Sequence, residues 1–539
     1  MPDSRSPTAP HRLSPLPEGS SVEARHPRRA IAALAAAALA TPLLLASAGP
    51  ATAHPDPAHR AAHLAKKLVK RSSAENAHRH LERFQAIADS TGGHRAAGTL
   101  GYDASAAYVY KLLKKAGYRV SYDDFTFVYT ETLAEKLSVV TPEARDIEVT
   151  AMTYTTSTPE GGITAPLAAA PVDEDGTSGC DAADYAGQTY TGKIALIKRG
   201  GCTFAQKQAT AADAGAVGAI VYNNTEGSLA GTLGAADAGR IPTGGITQEA
   251  GEALAAEAAQ GEVTVTYEIR ALQEERTTRN VIAETRGGRA DRTVMLGAHL
   301  DSVAKGPGIN DNGSGSAGLL EVALQLAKSH DRPANKVRFA WWSAEELGLQ
   351  GAEHYVADLS EAQREQIELY LNFDMIASPN YGLFVYDGDD SDAVGAGPGP
   401  EGSAQLERQI TDFLDRRGTP HAGTDFTGRS DYGPFIEAGI PSGGTFTGAE
   451  GVKTEEQAAL FGGQAGVAYD PCYHEACDDL SNISMEAFDV NIDVIANAVG
   501  TYAHDLRSLT EPVESVPTDG DAGSGGGLHD GHTHERPTA

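Results

Sequence analysis

Residues 293–346 read TVMLGAHLDSVAKGPGINDNGSGSAGLLEVALQLAKSHDRPANKVRFAWWSAEE, and this stretch decides the fold class. TVMLGAHLD is a short apolar run of strand-forming residues closed by His299 and Asp301. GPGINDNGSGS is a Gly-rich turn, and SAGLLEVALQLAKS repeats apolar residues at helical spacing. VRFAWWS reads as a buried strand that runs straight into Glu345 and Glu346. Strand, helix and strand at these lengths predict parallel strands with helices packed on them. NVIAETRG before this unit and LYLNFDMI after it read as further strands. The expected class is α/β, a sheet of mostly parallel strands flanked by helices.

In such sheets the carboxyl ends of the strands line the ligand crevice. The chemically loaded residues sit there. His299 and Asp301 close one strand, Glu345 and Glu346 follow another, and Asp374 closes LYLNFD. Asp311 lies in the Gly-rich loop, and His474 lies in the loop DPCYHEAC. Each alone has an ordinary structural use as a turn, a cap or a solvated face. Together they offer two imidazoles and three carboxylates to a metal, with a carboxylate to spare. Imidazole and carboxylate suit zinc, and one aspartate can offer an oxygen to each of two ions. Paired ions about 3.5–4 Å apart can hold a hydroxide and polarise a carbonyl. Glu345, adjacent to a ligand, is then the candidate general base and acid. Asp301, two residues beyond His299, is the candidate partner fixing the imidazole.

Arg28 and Arg29 precede an apolar run from Ala30 to about Ala48, and Ala51-Thr52-Ala53 offers a small-residue cleavage site. Residues 1–53 are therefore expected to be a signal peptide and the protein to be secreted, with no membrane span after cleavage. Residues 54–74 form a basic lead-in, a linker or a propeptide. Helices follow from Ala74 (AENAHRHLERFQAIADS) and through Leu112 and Leu113, then the strand YRVSYDDFTFV. Composition changes near Thr130, and 130–270 is rich in Ala, Gly, Thr and Val, with short strands around a helix. Beyond about residue 510 the chain turns to Pro, Gly, Asp and His, a composition expected to be disordered; His529, His532 and His534 lie in that tail.

The four cysteines form an even count in an exported chain, most simply paired in sequence order as Cys180–Cys202 and Cys472–Cys477. The formal net charge of −30 argues against nucleic acid as a partner. Asp489 and Asp493 lie one helical turn apart, a pair open to calcium or to solvent. The oligomeric state is not legible.

GAHLDSV, GINDNGSGSA, RFAWWSAEELGLQG, LNFDMI, GRSDYGPF and DPCYHEACD, in that order, resemble the secreted bacterial aminopeptidases of peptidase family M28. The resemblance spans about 75–129 and 271–507, and the peptidase domain is expected at 75–129 and 271–509. It implies two zinc ions: Asp311 bridging, His299 and Asp374 completing one, Glu346 and His474 the other. It further implies Glu345 as general base and acid toward a zinc-held hydroxide, and Tyr473 as the donor that stabilises the oxyanion. The short Cys472–Cys477 loop would hold Tyr473 and His474 in place. Arg429 matches an arginine near the substrate, and Phe446 an aromatic position lining the pocket in members that prefer large apolar residues. The Asp311–Asn312 peptide is implied to be cis.

GKIALIKRGGCTF and AGAVGAIVYNN resemble a protease-associated (PA) domain, mainly β and inserted at 130–270. Compact secreted members of the family lack this insertion, and no residue in it invites a catalytic role. A carboxypeptidase would need a basic cluster for the substrate's terminal carboxylate. Arg429 stands without one near the motifs, so the expected substrates are peptides or proteins with a free N-terminus.

Overall fold

The computed structural model describes residues 56–173, 176–225, 227–395 and 397–513. The expected signal peptide and the chain beyond 513, with its three histidines, lie outside the described residues.

Strands Arg289–His299, Asn335–Trp342, Ile367–Phe373 and Ser442–Phe446 form the parallel centre of a mixed sheet. Strand Thr264–Glu284 joins one side antiparallel to Asn335–Trp342. Strand Phe384–Tyr386 joins the other side, antiparallel to Ser442–Phe446. Alternation along each central strand feeds two helical layers. Val294, Leu296, Ala298, Val337, Phe339 and Trp341 are buried in one core, under helices Ala74–Ser90, Leu100–Ala116, Gly315–Ser329 and Met485–Tyr502. Met295, Ala340, Trp342 and Tyr370 are buried in the opposite core, with Val356 of helix Gln350–Asp358 and Phe435 of helix Tyr432–Glu437. The period of two therefore supports a three-layer α/β/α arrangement. Because the central strands are parallel, their carboxyl ends share one edge, which brings His299, the 345–346 loop and Asp374 within reach of one another.

The lead-in at 54–74 contains a helix, Pro57–Arg71. Asp56 caps its first turn, and Ala61, Leu64, Ala65 and Leu68 form a buried stripe. The stripe packs on helix Met485–Tyr502. At the crossing Gly500 is so close that a Cβ there would lie 2.3 Å from Ala65 Cα, which only glycine permits. The basic composition hid this i, i+3, i+4 pattern of small and apolar residues.

The inserted region extends the same sheet, since Ile163–Ala169 also pairs antiparallel with Thr264–Glu284. Strands Ile163–Ala169, Ile194–Lys198, Gly218–Tyr222 and Thr243–Ile246 are parallel, and helices Phe204–Asp213 and Gln248–Gln260 accompany them. It is carried on a long antiparallel ribbon in which Arg119–Thr141 pairs with Thr264–Glu284, from Arg119 opposite Glu284 to Thr141 opposite Thr264. The composition change near Thr130 falls inside this ladder, whose register shifts at Thr132/Ala134 and Val139/Thr141 while pairing continues on both sides. Both expected disulfides are formed, Cys180–Cys202 and Cys472–Cys477. No described helix is long and apolar enough to cross a membrane.

Leu68→Ala should cost about 3 kcal/mol of unfolding free energy by chemical denaturation, as a large-to-small change in a closed core does. Exposed Lys66→Ala should stay within about 0.5 kcal/mol of wild type.

Candidate metal centre

Five chain segments bring the candidate groups together. His299 ends its strand, where its carbonyl accepts from Ser316 Oγ at 2.5 Å. Asp311 sits in the Ile309–Ser314 turn, with a cis peptide to Asn312 as expected. Glu345 and Glu346 follow Asn335–Trp342, and Asp374 follows Ile367–Phe373. His474 lies inside the Cys472–Cys477 loop. Ala344, Met375 and His474 have φ of 58°, 48° and 57°, a left-handed region costly for non-glycine residues. Three of the loops thus leave their elements through turns that only surrounding structure can hold.

The side chains meet as two sets sharing Asp311. His299 Nε2 lies 3.2 Å from Asp311 Oδ1 and 3.2 Å from Asp374 Oδ1. His474 Nε2 lies 3.3 Å from Asp311 Oδ2 and 2.9 Å from Glu346 Oε2. One oxygen of Asp311 therefore faces each imidazole. Glu345 is set slightly back, its Oε2 3.8 Å from His299 Nε2. Donor atoms of His299, Glu345 and Asp374 lie within 4.8 Å of one another, as do those of His299, Asp311 and Glu346.

The electrostatics call for cations. Burial works against charge on both imidazoles, yet the facing carboxylates hold His299 and His474 well above the usual histidine range. Burial also penalises Asp311, but hydrogen bonds from both histidines keep its carboxyl well below the ordinary value. Glu345 and Glu346 are pushed up by burial first, then by neighbouring carboxylates. Glu346 Oε1 is buried with no hydrogen-bond partner. An acid-rich pocket with an unsatisfied carboxylate oxygen and two imidazoles has the composition of a divalent-cation site.

Surrounding groups hold this geometry. Asp301 is fully buried, its carbonyl 3.2 Å and its carboxylate 3.7 Å from His299 Nδ1, and burial raises its pKa to about 7. Tyr473 stacks on His474 with centroids 3.8 Å apart. Arg429 Nη2 donates to Tyr473 Oη at 3.1 Å and lies 2.8 Å from Glu450 Oε1. Phe446, half-buried, ends the strand beside the one leading to Asp374, and its ring lies 6.4 Å from that of Phe384. The calcium alternative finds other partners: Asp489 accepts from Ala74 N at 2.9 Å, and Asp493 pairs with Arg417 at 2.7 Å.

Several supporting residues escaped the sequence reading. Ser430 donates to Asp374 Oδ2 at 2.6 Å and accepts from Asn372, leaving Oδ1 to face His299. Asp478 accepts the backbone N–H groups of Asn310 and Asp311 at 2.8 and 3.0 Å, which orients the Asp311 turn. Arg95 is buried and donates to the carbonyls of Leu300, Pro307 and Gly308, bracing the loop between His299 and Asp311. Ser430 and Asp478 lie within the quoted motifs GRSDYGPF and DPCYHEACD; Arg95 stands alone in GGHRAAG and carries no pattern.

Residues 280–499 match peptidase family M28, and residues 163–254 match the PA domain. Leucine aminopeptidase 2 of Trichophyton rubrum is 46% identical over 430 residues, 80% of this chain and 84% of the relative. An aminopeptidase of Pseudomonas aeruginosa is 46% identical over 436 residues, 78% of this chain and 80% of the relative. The chain belongs to peptidase family M28. It is accordingly a hydrolytic enzyme, a peptidase with a PA domain. Among solved structures, the aminopeptidase from Aneurinibacillus sp. strain AM-1 superposes with a TM-score of 0.66 at 30% identity, covering 84% of this chain and 98% of that one. The zinc aminopeptidase of Bacillus subtilis gives 0.56 at 29% identity, covering 79% and 94%.

Asp478→Ala would leave two buried N–H groups unpaired and should cost about 2–3 kcal/mol of stability in chemical denaturation. Glu475→Ala, which removes the exposed 2.6 Å pair with Lys305, should cost no more than about 1 kcal/mol.

Proposed function

We propose that this family M28 peptidase is a secreted, zinc-dependent aminopeptidase that removes single residues from the free N-termini of peptides and proteins. The observation that carries the reading is Asp311 with one oxygen toward each histidine. That arrangement supports two zinc ions, one held by His299, Asp311 and Asp374, the other by Asp311, Glu346 and His474. Zinc bound there supplies a Lewis acid for the scissile carbonyl and water acidic enough to ionise near neutral pH.

Glu345 Oε2 takes the proton from the attacking water and returns it to the leaving amine nitrogen. Its longer distance to His299, 3.8 Å against 2.9–3.3 Å for the closest donor contacts, favours this role over ligation. Burial pushes Tyr473 well above the ordinary phenol range, so its O–H remains a donor to the developing oxyanion. Asp301 orients the His299 ring from behind. Arg429 reaches the substrate side through Tyr473. Acid around the site suits an N-terminal ammonium, and Phe446 supports a preference for large apolar first residues, in keeping with relatives named for leucine.

The wider organisation follows the same reading: a signal peptide at 1–53, a peptidase domain at 75–129 and 271–509, the PA domain at 130–270 and a tail from 510. The two disulfides accord with an oxidising compartment.

Hydrolysis of leucine p-nitroanilide should be lost after 1,10-phenanthroline and return with zinc, and the active protein should hold two zinc ions per chain by metal analysis. Retention of full activity after complete chelation would overturn the metal reading. Glu345→Gln should lower kcat roughly 10³-fold while still binding two zinc ions. Ser430→Ala, which frees the second oxygen of Asp374, should weaken zinc retention against a competing chelator by about 10-fold.

A further inference from the structure

Arg429 brings a cation to a site otherwise crowded with acid. It stands one side chain from the donor set, since its Nη2 bonds Tyr473 and the Tyr473 ring stacks on His474. The same nitrogen lies 2.8 Å from Glu450 Oε1. Glu450 follows Phe446 by four residues, on the chain leaving the carboxyl edge of the sheet. Its Oε2 is buried and accepts no hydrogen bond. Neither side chain is sealed off: Arg429 is 26% and Glu450 31% exposed.

A peptide's first residue and the amino acid released from it share side chain and ammonium. They differ at the far end, where the peptide has an uncharged carbonyl and the free amino acid a carboxylate. A guanidinium beside the donor set is the group best able to seize that carboxylate. Paired with Glu450, its charge is opposed and one of its donors is engaged.

We propose that Glu450 is a selectivity residue, which by pairing with Arg429 weakens the site's hold on carboxylate-bearing ligands and so speeds release of the product amino acid. The proposal rests on the aminopeptidase reading and makes a claim separate from it. Substitution by Gln keeps the shape and an acceptor for Arg429 but removes the opposing charge, while Asp keeps the charge.

The test is calorimetric binding of L-leucine and L-leucinol to the zinc-loaded protein, compared among wild type, Glu450→Gln and Glu450→Asp. Leucinol has the ammonium and side chain of leucine without the carboxylate. Glu450→Gln should bind leucine roughly 10-fold tighter and leucinol within about twofold of wild type, with Glu450→Asp near wild type for both. Unchanged or weaker leucine binding in Glu450→Gln overturns the proposal. So does an equal tightening for leucinol, which would mean that Glu450 only arranges the site. The two readings fail separately: a leucine-specific shift in a protein that cleaves no aminoacyl anilide would sink the aminopeptidase reading alone. Normal cleavage without the shift would sink only the role of Glu450.

Discussion

Asp311 is the constraint on which the site depends. A single buried carboxylate faces two imidazoles, one per oxygen, with Asp374, Glu345 and Glu346 packed around them. Like charges at this spacing repel, and removing them from water adds to the cost. The imidazoles lie between the acids, and hydrogen bonds hold the Asp311 turn and Asp374 in place. Asp478 orients the Asp311 turn, Ser430 holds one oxygen of Asp374, and Arg95 braces the loop behind.

The rest of the fold serves that placement. Parallel strands put three donor loops at one edge, and two helical layers bury the strands on both faces. The helix Gly315–Ser329 starts directly after the Asp311 turn and is buried along most of its length, so the turn is anchored to the core. The ribbon that carries the PA domain bears on the same region. Phe125, Phe127 and Tyr129 pack with Ala344, next to Glu345, and with Leu347. The inserted domain is thus joined to the peptidase through strands that touch the loop bearing both glutamates.

Much of this was legible before any fold was known. Alternating strands and amphipathic helices are local signals, and the turns with Asp311, Glu345, Asp374 and His474 interrupt them where an α/β sheet places ligands. Pairing of neighbouring cysteines also followed from spacing. The helix Pro57–Arg71 was not legible, because its basic surface masked a stripe of Ala and Leu. Arg95 could not be found either: a lone arginine before Ala-Ala-Gly has no pattern, and its role comes from three carbonyls about 200 residues away.

The sequence by itself determined the fold class, the family and which imidazoles and carboxylates were candidates for the crevice, since these are properties of residue type and spacing along the chain. Tertiary structure alone decided how Asp311 divides its oxygens, which oxygen of Asp374 is left to face His299, and that Arg429 meets both Tyr473 and Glu450. These are relations between side chains far apart in sequence, set by the packing of sheet, turn and disulfide loop, and no local pattern encodes a distance across the crevice.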